Sequence, residues 1–205
     1  MPSQRRIVAT VLAIGVVVAG GVVAFSMCRP TWDDPAIAWP AQVPACDGFD
    51  YPVGPPDGEG WQDMLAFGVE DRLGTHLGND WTMPGDDNAD LGARVYAITA
   101  GVVIDARDIG YDWGNVVRIA HGCGVESVYA HLQRIDTRVG ATVKRGDAIG
   151  TLGNANGTYS DAHLHLELRD RPLPLGGGYR DSDEQATGYL DPTWYIKTHR
   201  PSQQR

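Results

Sequence analysis

Two histidines placed one residue apart are the first candidates for chemistry in this sequence. His163 and His165 lie in the run SDAHLHLELRD, residues 160–170, where they alternate with leucines. This alternation predicts a β-strand, because successive side chains of a strand point to opposite faces. His163, His165 and Glu167 then share one face, and the leucines pack beneath them. Two interpretations are open at this point: a metal-binding face, or a solvated strand face that carries histidine.

A second group of candidate ligands lies upstream in THLGNDW, residues 75–81. His76 and Asp80 flank Gly78, a residue that lets the backbone turn sharply and bring both side chains to one point. Two imidazoles and one carboxylate, with water in the fourth position, form an open tetrahedral zinc site of the catalytic type. Either motif alone is weak evidence, but the two together favour a zinc centre.

Short β-branched runs surround these residues and predict the elements that position them. The runs are ARVYAIT, GVVIDAR, GNVVRIAH, ESVYAHL, DAIGTLG and HLHLELR, and turn-forming residues separate them. The chain also contains 26 glycines and 13 prolines, which indicates many turns. Several short strands without a long helical period predict a mainly β fold, an antiparallel sheet or barrel-like sandwich. One of these strands, VYAHL at residues 128–132, carries a further candidate, His131.

The composition suits one globular domain with extensions. The chain has 205 residues, of which 42% are hydrophobic and 21% charged, so it can bury a substantial core. Its formal net charge is −9. Because no basic cluster follows Arg5 and Arg6, nucleic acid is not an expected partner.

The N-terminal region carries an uncharged apolar run at residues 7–27. This run is longer than the core of a signal peptide and long enough to span a membrane, and the arginines before it favour a cytoplasmic N-terminus. We therefore expect an uncleaved transmembrane helix. A cleavable signal is the alternative, because Ala24-Phe25-Ser26 resembles a cleavage site. In both cases the remainder of the chain is exported.

Residues 29–56 contain seven of the prolines and predict an extended tether before the fold begins. Three cysteines fit an exported protein. Since Cys28 lies at the membrane edge, Cys46 and Cys123 are the expected disulfide pair in an oxidising compartment, with two buried free thiols as the alternative.

The motifs, taken in order, resemble one known family. The series is THLGND, GARVYAITAGVV, GNVVRIAHG, VYAHL, VGATVKRGDAIGTLG and HLHLE. It is similar to the lysostaphin/LytM-type zinc metalloendopeptidases over about residues 74–170, with LDPTWYI at 190–196 as the expected closing segment. The resemblance implies an antiparallel β-sheet or sandwich of the LytM, duplicated-hybrid-motif-like type. It also implies one zinc ion per chain and hydrolysis of peptide bonds in peptidoglycan cross-links.

Carried over residue by residue, the resemblance makes His76, Asp80 and His165 the zinc ligands. His131 and His163 correspond to the two catalytic histidines of the family. Glu167 is a candidate partner for the outer ring nitrogen of a metal-bound histidine, or else a solvated or salt-bridged strand residue. The two other histidines have no expected role in catalysis, His121 at a hairpin and His199 near the end of the chain.

The sequence departs from the family pattern in two places. Asp161 and Ala162 stand before the histidine pair, where many relatives have glycine or proline, and residues 172–188 form a longer insertion than the minimal pattern. Both features lie where substrate-binding walls are expected. They leave the identity of the cleaved bond open.

Two other functions compete with a peptidase. LytM-type domains also serve as non-catalytic wall-binding regulators that activate a partner hydrolase, but such regulators often lack a ligand position, and all five site residues are present here. A cysteine hydrolase based on Cys123 is disfavoured, because that residue sits in a tight Gly-Cys-Gly turn without a helix N-terminus to lower its pKa.

The expected layout has five parts. Residues 1–6 are the cytoplasmic N-terminus, 7–27 the membrane or signal segment, and 28–56 the tether. Residues 57–197 are the peptidase domain, and 198–205 a polar tail. We expect the protein in the bacterial cell envelope, anchored in the membrane with its peptidase domain outside the cytoplasm, or secreted if the signal is cleaved.

Overall fold

The computed structural model describes residues 35–71, 74–85, 88–157, 161–176, 179–180 and 186–201. The segment at residues 7–27, Cys28 and residues 202–205 lie outside the described residues, so the expectations placed on them stay predictions. Within the described ranges, no helix combines the length and the apolar character that crossing a membrane requires.

The described residues form thirteen β-strands and one α-helix. The strands are β1 (Gln62–Leu65), β2 (Glu70–Asp71), β3 (Gly74–His76), β4 (Asn79–Thr82), β5 (Arg94–Tyr96), β6 (Gly101–Asp108), β7 (Asn115–His121), β8 (Val125–Ile135), β9 (Thr142–Val143), β10 (Ala148–Leu152), β11 (Leu164–Arg169), β12 (Tyr179–Arg180) and β13 (Tyr189–Leu190). The helix, α1, spans Pro192–Thr198 and lies in the expected closing segment. The six β-branched runs correspond to β5, β6, β7, β8, β10 and β11, which confirms the prediction of a mainly β fold.

Ten of the strands form one antiparallel sheet. Its main order is β1-β4-β11-β8-β7-β6-β9, while β10 pairs with β8 and β5, and β13 pairs with β11. A separate three-stranded sheet has the order β12-β3-β2. The neighbouring strands β4, β11 and β8 carry Asp80, His165 and His131, so the sheet brings these three residues to adjacent positions.

The two faces of β11 have different environments. Leu164, Leu166 and Leu168 are fully buried in the main core, where burial of each leucine contributes about 1.5–3 kcal/mol. His165, Glu167 and Arg169 occupy the alternate positions of the strand. Across the sheet they meet β8, where His165 pairs with Ala130 and Glu167 with Val128. Because Ala130 and Val128 belong to a second, smaller buried cluster, the histidine-bearing face is buried too.

The N-terminal part of the described chain packs against this sheet. A disulfide joins Cys46 to Cys123 in the turn between β7 and β8, which confirms the expected pairing. The backbone N–H of Gly122 in the same turn donates to the carbonyl of Pro44 at 3.1 Å. Phe49, Tyr51 and Val53 are buried in the main core. The packed region therefore begins before residue 57, where the peptidase domain was expected to start.

Candidate active site

Cross-strand pairing assembles the centre of the site. Asp80 on β4 and His165 on β11 are direct antiparallel partners, and Asp80 Oδ1 lies 2.8 Å from His165 Nδ1. His76, at the end of β3, places its Nε2 atom 3.1 Å from His165 Nδ1 and 3.4 Å from Asp80 Oδ1. All three side chains are buried. Two imidazole nitrogens and one carboxylate oxygen thus converge within 4.8 Å of one another.

Gly78 is required at the centre of the site because the backbone approaches His165 closely. A Cβ atom at this position would lie 2.6 Å from the carbonyl oxygen of Leu166 and 2.7 Å from His165 Cε1. Both distances are far below van der Waals contact. The chain bends at Gly78, as expected, but its φ angle lies outside the left-handed region. The physical reason for glycine is therefore the absent side chain rather than an unusual backbone conformation.

The outer ring nitrogens of both central histidines face protein acceptors. His76 Nδ1 donates to the carbonyl oxygen of Ala66 at 3.3 Å, and His165 Nε2 donates to Glu167 Oε1 at 3.3 Å. Since a carbonyl or carboxylate oxygen can only accept, these contacts leave His76 Nε2 and His165 Nδ1 to face Asp80. Metal-binding histidines are commonly oriented in this way. The donor set therefore fits a metal ion such as zinc.

The electrostatics of the metal-free site favours an ionised Asp80 and a protonated His165. Burial lowers the pKa of His165, but hydrogen bonds to Asp80 and Glu167 outweigh it and raise that pKa to about 9. Burial raises the pKa of Asp80, and the hydrogen bonds from His165 and His76 bring it well below its ordinary value. Without metal, His165 is thus protonated on both ring nitrogens and donates one hydrogen bond to each carboxylate. A bound metal ion would replace the proton on Nδ1.

His163 and His131 stand beside this centre with their ring centroids 4.7 Å apart. His163 Nε2 is 4.0 Å from Asp80 Oδ2, while its Nδ1 donates to the carbonyl oxygen of Asp161 at 3.0 Å. His131 has a φ angle of 63° within β8, a left-handed conformation that non-glycine residues rarely adopt. Burial, with additional repulsion from His163 and His165, lowers the pKa of His131 well below its ordinary value.

One cavity of about 180 Å³ is lined by all five predicted site residues, His76, Asp80, His131, His163 and His165. Five further residues line this cavity and were not predicted from the sequence: Met64, Leu65, Asp112, Trp113 and Tyr179. Trp113 meets the ring of His165 edge-on at 5.6 Å, and the ring of Tyr179 lies 5.1 Å from that of His76. Tyr179 belongs to the insertion at residues 172–188, so part of this insertion does form a wall of the site. The sequence carried no signal that distinguishes these aromatic residues from ordinary turn residues.

Glu167 has both of the contacts that were considered from the sequence, one with a histidine ring nitrogen and one with an arginine. It contacts the outer nitrogen of His165, and it is also salt-bridged to Arg169. Burial raises the pKa of Glu167, but Arg169 and the hydrogen bond from His165 lower it to about 2. The carboxylate is therefore ionised.

The remaining two histidines lie away from the cavity. His121 is buried beside Ser127, with its Nε2 atom 2.7 Å from Ser127 Oγ. His199 stacks on the ring of Tyr195 at a centroid distance of 3.9 Å. Neither contacts the cluster formed by His76, Asp80 and His165.

Fold and site together define a metallopeptidase-like β-protein. The model of the family described as "Peptidase family M23" matches residues 75–177, half of the chain. The chain therefore belongs to peptidase family M23, which confirms the resemblance to lysostaphin/LytM-type enzymes seen in its sequence.

Individual relatives agree with this membership. The peptidoglycan DD-endopeptidase ShyA of Vibrio cholerae is 39% identical over 107 residues, which cover 52% of this chain and 23% of ShyA. The catalytic domain of lysostaphin from Staphylococcus simulans has a TM-score of 0.52 and 24% identity, covering 67% of this chain and 92% of that domain. A zinc containing peptidase from Vibrio cholerae has a TM-score of 0.50 and 29% identity, covering 66% of this chain and 40% of its own.

The lysostaphin comparison shows the fold alone. This chain spans less than a third of the length of the curated relatives ShyA and ShyB of Vibrio cholerae. Membership of a peptidase family is what these matches establish.

Proposed function

We propose that the chain is a zinc-dependent endopeptidase that hydrolyses peptide cross-links of bacterial peptidoglycan. The observation that carries this proposal is the convergence of His76, Asp80 and His165 in a cavity that also contains His131 and His163. Peptidoglycan is proposed as the substrate because ShyA, which is 39% identical over 107 residues, is named as a peptidoglycan DD-endopeptidase.

The proposed ligands for one zinc ion are His76 Nε2, Asp80 Oδ1 and His165 Nδ1. Three protein ligands leave a coordination position open, as in catalytic rather than structural zinc sites. Zinc in such a position supplies Lewis acidity, which makes a water molecule more acidic and a carbonyl group more electrophilic. The buried surroundings strengthen both effects, because charges interact more strongly away from bulk water.

His163 and His131 are proposed as the groups that handle protons and developing charge. Peptide hydrolysis requires a proton to leave the attacking water, the carbonyl oxygen to be stabilised as it becomes negative, and a proton to reach the departing amine. An imidazole can accept, donate or hydrogen-bond at each of these points. The two rings meet edge to face at a centroid distance of 4.7 Å and line the same cavity, so both can reach a substrate there.

The alternative function, a non-catalytic wall-binding regulator, makes no use of this arrangement. A regulator needs a folded surface, whereas the chain retains three converging donors and two additional histidines around one cavity. This observation favours the enzyme.

We also propose that the peptidase domain acts in the cell envelope outside the cytoplasm, attached through residues 7–27. The Cys46–Cys123 disulfide supports an oxidising compartment, because such bonds persist there. Membrane fractionation and the intact mass of the mature protein test the attachment. A new N-terminus near Met27 would replace the anchor by a cleaved signal.

The activity is tested by incubating the purified full chain, prepared in detergent without chelator, with purified peptidoglycan. Mass spectrometry of the soluble products should identify new amino and carboxyl termini within the cross-link peptides. A strong chelator should abolish their formation, and one equivalent of zinc should restore it. Cleavage that persists after complete zinc removal would contradict the zinc mechanism, and a fully zinc-loaded protein that releases nothing would favour the regulator.

A matched pair of aspartate variants separates site chemistry from general effects. Asp80→Ala removes a proposed ligand and should abolish cleavage. Asp136→Ala removes the carboxylate that pairs with Arg134 on the surface. This variant should still cleave peptidoglycan. Equal activity of the two variants would argue against the proposed site.

A further inference from the structure

A chain of buried charged groups lies behind the metal-facing histidine. The Nε2 atom of His165 donates to Glu167 Oε1 at 3.3 Å. The other carboxylate oxygen of Glu167 accepts hydrogen bonds from Arg169, with Nε at 2.9 Å and Nη2 closer still. Glu167 and Arg169 are both fully buried. The orientation of His165 thus depends on a carboxylate that is itself held by a guanidinium group.

The chain of charges continues to the neighbouring strands. Arg169 Nη1 lies 3.5 Å from Glu126 Oε1 on β8, and Arg118 Nη2 on β7 lies 2.8 Å from the same oxygen. The side chains of Arg118 and Glu126 have no exposed surface either. Two arginines and two glutamates therefore form a neutral buried group. We call the four residues Glu167, Arg169, Glu126 and Arg118 the ionic chain.

The ionic chain ends on the N-terminal segment of the protein. The indole Nε1–H of Trp39 donates to Glu126 Oε2 at 2.9 Å, across 87 residues of sequence. Trp39 is half-buried and lies seven residues before Cys46, which the disulfide attaches to the β7–β8 turn. A residue from the expected tether thus completes the hydrogen bonding of a carboxylate beneath the site.

The two arginines also hold the chain that leaves β11. Arg118 Nη2 and Arg169 Nη1 both donate to the carbonyl oxygen of Leu173, at 2.9 and 3.2 Å. Two residues later, Leu175 packs in the same small cluster as Trp113, whose ring meets His165 edge-on. The ionic chain therefore supports His165 from behind and fixes the segment that packs against its aromatic neighbour.

Fold stability alone does not account for such an arrangement. Removing four charged groups from water is costly, and well-packed apolar residues at such positions are often as stabilising or more so. Each member of a buried ionic group must keep its partner, because an unpaired buried charge is strongly destabilising. That property is what a metal ligand requires, since outer partners fix the ring orientation of ligating histidines.

We propose that Glu167 is a positioning residue for His165, and that the ionic chain, completed by Trp39, holds Glu167 in the orientation that metal binding requires. This inference rests on the proposed function, since it concerns the proposed zinc ligand. It assigns the N-terminal segment a role in the metal centre in addition to its place in the core.

The test is the zinc dissociation constant of the full-length protein, measured by competition with a chromophoric chelator. Glu167→Gln keeps the size of the side chain but removes the charge that pairs with Arg169. It should raise the dissociation constant about 10–100-fold. Trp39→Phe removes the Nε1–H donor and should raise the zinc dissociation constant by a smaller factor. In the double variant, the Trp39 change should add nothing, because its effect acts through Glu167.

Two control variants distinguish positioning from loss of stability. Asp105 is a buried carboxylate that pairs with the arginine two residues later, as Glu167 does, and Trp194 is an exposed tryptophan on α1. Asp105→Asn and Trp194→Phe should leave the zinc dissociation constant unchanged. Urea unfolding of the metal-free proteins reports stability separately. If Glu167→Gln does not fold, the zinc dissociation constants of Trp39→Phe and Trp194→Phe are compared instead. The proposal then requires weaker zinc binding by Trp39→Phe than by Trp194→Phe.

Failure of the positioning role and failure of the proposed function give different results in these measurements. If Glu167→Gln and Trp39→Phe bind zinc as tightly as the wild type does, the positioning role is wrong and the proposed function stays intact. Equal weakening by Asp105→Asn would also overturn it, because the effect would then be general destabilisation. Independent, additive effects of the Trp39 and Glu167 changes would refute the link between them. Wild-type protein that binds no zinc would overturn the proposed function and this inference together.

Discussion

Asp80 and His165 are direct cross-strand partners in the main sheet, and their side chains meet at 2.8 Å although 85 residues separate them in sequence. The pairing register of β4 and β11 therefore builds the centre of the site. A slip of one residue would turn the side chains of a strand to its other face. The main core opposes such a slip, because Leu164 and Leu166 would leave their buried positions.

Gly78→Ala should weaken zinc binding without removing any ligand. The added methyl group would lie 2.7 Å from His165 Cε1 and 2.6 Å from the carbonyl of Leu166, so the ring must move. We expect the zinc dissociation constant to rise at least tenfold, as for loss of an orienting partner. Chelator competition measures the change.

Gly146→Ala is the matched control for this glycine. Gly146 has a φ angle of 80° and open space where a Cβ atom would lie, so alanine there should cost about 1–2 kcal/mol of stability through the backbone alone. Its zinc affinity should equal that of the wild type. If Gly78→Ala binds zinc as tightly as Gly146→Ala does, the close approach at Gly78 is not important for the site.

The sequence contained enough information to predict the centre of the site and its strands. Alternation in HLHLELR correctly placed His165 and Glu167 on one face, because successive side chains of a strand point to opposite faces, although both faces of β11 are buried. The residues around the centre were harder to find. Trp113 reaches the cavity from a short 3-10 helix, and Tyr179 from an insertion, and neither segment has a periodic pattern.

Long-range partners behind the site were also beyond prediction from sequence. Arg118 and Glu126 occupy strand positions where a charged residue ordinarily faces solvent, yet both are fully buried. Their burial depends on Arg169 and Trp39, whose proximity follows only from tertiary packing. The position of Phe49 in the core was also not predicted, because the proline-rich composition around it indicated an extended tether.

Loss of the disulfide should destabilise the fold substantially. The double variant Cys46→Ser/Cys123→Ser opens a loop closed across a sequence separation of 77 residues. In the chain-entropy model this lowers the free energy of unfolding by about 4 kcal/mol. Urea denaturation of the oxidised wild type and the double variant measures the difference. A difference below about 1 kcal/mol would show that the bond contributes little.

His121 should make the stability of the fold sensitive to acid. The ring of His121 is buried; its Nδ1–H donates to the carbonyl of Ala100 at 2.9 Å, and its Nε2 lies 2.7 Å from Ser127 Oγ. Burial lowers the pKa of His121 to about 4, although the hydrogen bond to Ala100 opposes this. Because the unfolded chain, with a pKa of about 6.5, binds the proton more readily, stability is lost as the pH falls from about 6.5 to about 4.

The size of this effect is about 3 kcal/mol between pH 7 and pH 4. It is measured as the difference in pH dependence of urea unfolding between the wild type and His121→Gln, both without metal so that zinc release does not contribute. The variant should lose less stability on acidification. Parallel curves for the two proteins would show that His121 does not titrate in this way.

The most direct test of the proposed zinc endopeptidase compares zinc content and peptidoglycan cleavage in three histidine variants. His165→Ala removes a proposed ligand and should lose both zinc and activity. His163→Ala and His131→Ala leave the three proposed ligands in place, so they should keep about one zinc per chain. Their cleavage should fall by roughly 10²–10⁴-fold, the usual contribution of a positioned acid or base. If His163→Ala loses zinc while His165→Ala keeps it, the roles within the pair are inverted, and full cleavage by all three variants would contradict the proposed mechanism.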